Sequence, residues 1–75
     1  MKELHYRERK RVFRELVKRL KSFGFSQSVI AENIGYSTQS TVSIMANAEN
    51  GKYPPRHRLA LLVEFCEKIG VSADV

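Results

Sequence analysis

In its 75 residues the chain has no tryptophan, one cysteine, two prolines, four glycines and two histidines. Cys66 alone cannot close an intramolecular disulfide, and with only His5 and His57 to accompany it there is no Cys/His spacing of a zinc site. That usage fits a reducing, cytoplasmic compartment, with no metal and no cofactor expected. Also missing is any apolar run approaching the roughly 18 residues that cross a membrane. The charged opening MKELHYRERKRVF is unlike a secretory signal, so no membrane partner is expected. There is no nucleophile with an adjacent base, no pair of carboxylates on one face and no glycine-rich phosphate loop. No catalytic residue is assigned, no small-molecule ligand is evident, and an enzyme is not expected.

What is present is a globular composition, with hydrophobic residues at 43% and charged residues at 28%. A chain of this size is one domain, and it buries only roughly 60% of the surface its unfolded form exposes. Net charge is +5, which favours polyanionic partners. The distribution is sharper than the total. From Arg7 to Lys21 there are eight Lys/Arg against two glutamates, and Lys52, Arg56 and Arg58 form a second group. Between Phe25 and Gly51 there is no lysine or arginine, only Glu32 and Glu49. A solvated amphipathic helix face would by itself account for the first cluster.

Periodicity predicts helices throughout and no strands. Tyr6, Phe13, Leu16, Val17, Leu20 and Phe23 recur at helical spacing, so about residues 3 to 22 form an amphipathic helix ended by Gly24. Ser26 has the chemistry of an N-cap for a short second helix whose apolar face is Val29, Ile30, Ala31 and Ile34. Gly35 can then reverse the chain at little steric cost. Ser37 or Thr38 caps a third helix, with Val42, Met45 and Ala46 on one side and Gln39, Ser40, Ser43 and Asn47 on the other. ENGKYPP is loop chemistry, and Pro55 suits the first turn of a fourth helix. Leu59, Leu62, Phe65, Cys66 and Ile69 make one inward face of that helix, which Gly70 stops.

Two short helices around a glycine turn are the helix-turn-helix arrangement. FSQSVIAENIGYSTQSTVSIM, then ENGKYPP and LALLVEFCEKIGVSAD, resembles the Cro and lambda-repressor-like (XRE-type) helix-turn-helix DNA-binding family over roughly residues 13 to 74. The signal lies in the order and spacing of Ser-Gln, the Ile-Gly turn, a Ser/Thr/Gln-rich helix, Glu-Asn-Gly-Lys, a proline and a final Gly-Val-Ser. Two departures shift the register. Val42 stands seven places after Gly35 where the family usually has six, and Glu-Asn-Gly-Lys arrives about three residues late. The end of the third helix is thus open between Ile44 and Asn50. The resemblance implies an all-α bundle of four helices, with the start of a fifth allowed. It comprises a single domain over 1–75 with a basic N-terminal helix extension at about 1–12. It implies a sequence-specific transcriptional regulator, a repressor of phage or mobile-element type, bound to double-stranded DNA as a homodimer on a two-fold operator.

On that reading the uncharged middle answers to base recognition, and the cations answer to affinity, because phosphate contacts carry no sequence information. Thr38, Gln39, Ser40, Ser43 and Asn47 are the candidate base readers, with Gln39 suited to adenine. Ser37, Thr41, Lys52, Tyr53, Arg56, Arg11 and Arg14 are candidate phosphate contacts. The resemblance adds Gln27, as a phosphate contact that also braces the start of the third helix. Arg58 is a further clamp candidate, and Arg7, Arg9 and Lys10 join Arg11 and Arg14 in following a phosphate strand or reaching a minor groove. Plainer readings stand beside these: Gln39 and Ser40 as solvated polar residues, Gln27 as an early-turn residue, His5 and His57 as surface residues, Cys66 and Met45 as core. Ile44 falls outward, where a polar residue is usual. The alternatives in function are a protein-interaction module, an antitoxin or anti-repressor whose partner covers Leu61, Val63 and Ile44, and a nonspecific basic binder of nucleic acid or anionic membrane.

Overall fold

In the computed structural model, residues 5–46 and 53–74 are described, apart from the side chain of Tyr6. They form four helices: α1 (Tyr6–Ser22), α2 (Gln27–Asn33), α3 (Gln39–Ala46) and α4 (Arg56–Ile69). No strand occurs among them. The expectation of an all-α four-helix bundle is met, and α1 begins about one turn later than the periodicity suggested.

Each helix starts and stops for local reasons. His5 accepts the Arg7 N–H on Nδ1 at 3.4 Å and caps α1, a role its isolation in sequence does not suggest. Ser26 caps α2 as expected, its hydroxyl accepting from the Val29 N–H at 3.3 Å. The ends of α1, α2 and α4 share one closure. The N–H of Phe25, Tyr36 and Val71 donates to the carbonyl five residues earlier, of Leu20, Ala31 and Cys66, at 3.0, 2.9 and 2.9 Å. This wrap needs a left-handed residue just before the donor. Gly35 and Gly70 supply it at φ 83° and 82°.

The core is one cluster drawn from every helix. Phe13, Leu16, Val17 and Leu20 of α1 meet Ile30 and Ala31 of α2, Ile34, Val42 of α3, and Leu59, Leu62 and Cys66 of α4. Val71 closes one end after Gly70. Each fully buried Leu, Ile or Phe contributes about 1.5–3 kcal/mol relative to exposure, so Leu16→Ala in a core this small would remove about 2–5 kcal/mol. Phe25 packs edge-on to Phe65 with ring centroids 5.5 Å apart. Phe23, which its spacing placed on the buried stripe, is instead 65% exposed at the α1 C-cap, past the last helical residue. Val63 is partly buried against the core, which removes it from the apolar residues available to a partner.

Polar ties join segments far apart in sequence. Four cations reach backbone carbonyls: Arg9 Nε to Pro54 O at 3.2 Å, Lys10 Nζ to Met45 O at 3.2 Å, Arg58 Nη1 to Ile34 O at 2.6 Å, and Arg19 Nη1 to Ser72 O and Asp74 O at 2.9 Å each. All four sit in helical register with apolar residues of their own helix. Lys10 precedes Phe13 by three and Val17 by seven, and Arg58 precedes Leu62 by four. Among these residues Lys10 is buried outright, at 5% exposure.

Candidate nucleic-acid interface

Helices α2 and α3 make the largest contact of any helix pair among the described residues, across a five-residue connection, 34–38. Val42 is buried on the inner side of α3, and Met45 and Ala46 pack partly against the core. The outward side is uncharged. Thr38, Gln39 and Ser40 are exposed, Thr41 and Ser43 are half-buried, and Ile44 is 43% exposed among them. Asn47 and Lys52 lie outside the described residues, as do positions 48–50; of the segment in which the end of α3 was left open, Ile44 to Ala46 are helical.

The start of α3 is held from α2. The Ser28 hydroxyl donates to Gln39 Oε1 at 3.2 Å. The brace expected of Gln27 therefore belongs to its neighbour Ser28, because the turn brings the exposed side of α2 at position 28 over the first residue of α3. A carbonyl oxygen has two lone pairs, so Gln39 retains one acceptor site and both amide N–H donors, fixed in orientation from behind. Thr38 Oγ1 and Thr41 Oγ1 lie 3.3 Å apart and share one hydrogen bond. Between α2 and the start of α3 is a cleft of about 490 Å³, lined by Ser28, Glu32, Tyr36 and residues 37–39. The Glu32 carboxylate there opposes an anion next to Ser37.

The cations sort into two groups. Arg7, Arg11, Arg14, Lys18 and Lys21 are exposed and recur at alternating spacings of four and three. They make a single stripe on α1 about 21 Å long. Both glutamates of α1 lie to one side of it, and Glu8 pairs with Arg11 at 3.0 Å. Arg9, Lys10 and Arg58 are turned inward, which corrects their expected place among the phosphate contacts. The guanidinium of Arg58 stacks over the Tyr36 ring at 4.7 Å, and the ammonium of Lys10 stands over the Tyr53 ring at 5.4 Å. Burial, with a smaller push from Arg14, holds the Lys10 ammonium below its ordinary pKa. Tyr53, a candidate phosphate contact, is half-buried beneath Lys10, and Arg56 is exposed as the first residue of α4. Gln27 is half-buried in the first turn of α2.

Tyr36 was not singled out by sequence. Its hydroxyl is buried without a hydrogen-bond partner among the described residues, and burial raises its pKa against the opposing pull of Arg58. Among the described residues no group of three or more His, Cys, Asp or Glu can hold a metal ion, and no helix is long and apolar enough to cross a membrane. Compared with protein-family models, with curated proteins and with solved structures, the chain matches none.

Proposed function

We propose that α2, the glycine turn and α3 act as a helix-turn-helix and that the chain is a sequence-specific DNA-binding regulator of the Cro and lambda-repressor-like kind. The observation that carries this reading is the outward side of α3. It is a surface of exposed and half-buried amide and hydroxyl groups, with Ile44 among them and no charge, led by a glutamine braced from α2, in a chain whose net charge is +5. A helix exposed merely for solubility carries Lys and Glu. A surface that must test base edges instead needs short groups able both to donate and to accept.

On this proposal Gln39, with Ser40 and Ser43 beside it, enters the major groove, and Ile44 meets thymine methyls at the same depth. Thr38 and Thr41, whose hydroxyls already bond each other, act at the edge of that patch. The α1 stripe and Arg56 supply phosphate contacts; Gln27 and the start of α2 supply one more. Ser37 is the weakest of the phosphate candidates, given Glu32 beside it. Five cations over about 21 Å match the roughly six phosphates that one strand of duplex presents over that length. A repressor role and a two-fold operator bound by a homodimer belong to the same proposal, with half-sites about one helical turn apart.

The exposed apolar residues Ile44, Leu61, Val29 and Phe23 support a second reading, an interaction module for a protein partner. They are spread over all four helical segments, which weakens it. Insertion into a membrane is disfavoured because the apolar side of α1 is already buried in the core. Selection of preferred sites from random duplex DNA tests the leading reading. An inverted repeat is expected, and Gln39→Ala should relax one base position per half-site at about 1–3 kcal/mol. Binding with no site preference at any salt concentration would reject it, and no binding at all would leave the partner reading.

A further inference from the structure

The α2–α3 unit meets a cation from outside it twice, at the end of α2 and in the last described turn of α3. At the end of α2, Arg58 of α4 donates to Ile34 O at 2.6 Å and lies over the Tyr36 ring just past the turn. In the last described turn of α3, Lys10 of α1 donates to Met45 O at 3.2 Å and approaches Ile44 O at 3.5 Å, with the Tyr53 ring beneath it. The carbonyl end of a helix carries partial negative charge, so Arg58 at the end of α2 is attracted both to the oxygen and to the dipole, while Lys10 is held by the two carbonyl oxygens it meets. Two such contacts, one at the turn that precedes α3 and one in its last described turn, restrict the rotation of α3 in a way that one cannot.

We propose that Lys10 and Arg58 are positioning residues that fix the attitude of α3 on the domain, and that base discrimination depends on them although neither touches a base. The proposal rests on the DNA-reading proposal for its binding consequence, and on amide exchange alone for its structural one. It also explains why an ammonium is kept at a site where burial disfavours its charge: an apolar side chain of similar length would fill the space but would not hold the carbonyls.

The test compares Lys10→Met and Arg58→Met with Val71→Ala, a core truncation just past α4, a helix that makes no contact with α3 among the described residues. The probes are a duplex selected from random DNA and a scrambled duplex of the same length and composition. For both charge-removing variants, the ratio of the two affinities is expected to fall at least tenfold. The slope of log K against log salt should stay unchanged, and the Val71→Ala control should keep its ratio. In the DNA-free protein, amide exchange at residues 43–46 should quicken at least tenfold in Lys10→Met, while amides in the middle of α1 and α4 keep their rates. An unchanged affinity ratio, an equal loss in the control, or exchange that quickens uniformly or not at all would overturn the proposal. If the unsubstituted protein shows no preference between the duplexes, the DNA-reading proposal fails, and the exchange result alone then decides whether the two cations hold α3.

Discussion

Replacing Gly35 by alanine puts two costs on one methyl group. The first is conformational: φ is 83°, and an L side chain in the left-handed region costs about 1–2 kcal/mol. The second is steric and electrostatic. A Cβ on Gly35 would collide with Nη1 of Arg58, the atom that donates to Ile34 O. The guanidinium can swing away, so the clash becomes the loss of a charge-assisted hydrogen bond, about 1.5 kcal/mol at the low end of the range because Arg58 is half-buried. Gly70 is a natural control, since it has φ 82° at the end of α4 and nothing within 4 Å of its own Cβ position. Gly70→Ala should therefore cost about 1–2 kcal/mol and Gly35→Ala about 3 kcal/mol. In a domain of this size the difference is about 6–12 °C in Tm. Thermal and urea unfolding followed by far-ultraviolet circular dichroism would measure it. In an Arg58→Met background the excess should vanish, leaving the two glycine positions equal. Equal losses in the native background, or an excess that persists without Arg58, would refute the assignment of Arg58 to the turn.

Three further outcomes follow from the same geometry. Arg11→Gln together with Arg14→Gln should weaken binding to all duplexes alike and reduce the magnitude of the salt slope by about 2, read from affinities over a range of salt concentrations; an unaltered slope would take both residues off the phosphate strand. Tyr36 has a folded pKa above its ordinary 10.0, so its contribution is intact below pH 10 and is lost as pH rises through the folded value. Stability of Tyr36→Phe should thus decline less steeply above pH 10, and at neutral pH it should match or slightly exceed the native value because a buried, unpartnered hydroxyl is removed. Burial raises the Cys66 thiol pKa as well, so native protein should react with a thiol reagent only at the rate of opening, accelerating sharply in denaturant; fast native labelling would contradict its place in the core.

The helix ends were legible because their chemistry is local. Ser26, Gly35 and Gly70 each act within five residues of themselves, and a glycine at positive φ leaves a mark in one position of the sequence. The inner side of α4 was legible from spacing alone. What escaped was chemistry linking distant positions. Lys10 stands in register with Phe13, Val17 and Leu20, a lysine on the apolar stripe, and that mismatch was the available signal. The general expectation that cations on a basic helix face solvent concealed it. Ser28 and Gln27 are adjacent, and choosing which one reaches Gln39 requires the geometry of the turn, which no periodicity encodes. Phe23 fits the stripe by spacing, yet the helix has ended by then and Phe25 takes the contact with Phe65.

Joining its parts through cations and main-chain carbonyls gives this domain an unusual relation to acid. Carboxylates gain protons as pH falls, and folds cross-linked by arginine–carboxylate pairs come apart in that range. Peptide oxygens do not titrate there, and guanidinium and ammonium groups only become more surely charged. The ion pairs Glu8–Arg11 and Glu15–Arg19 run along the surface of a single helix, where little depends on them. Acid should therefore leave the ties of Arg9, Lys10, Arg19 and Arg58 to main-chain oxygens in place, so that as pH falls self-repulsion among the outward cations, and not the loss of these four ties, weighs against the folded state.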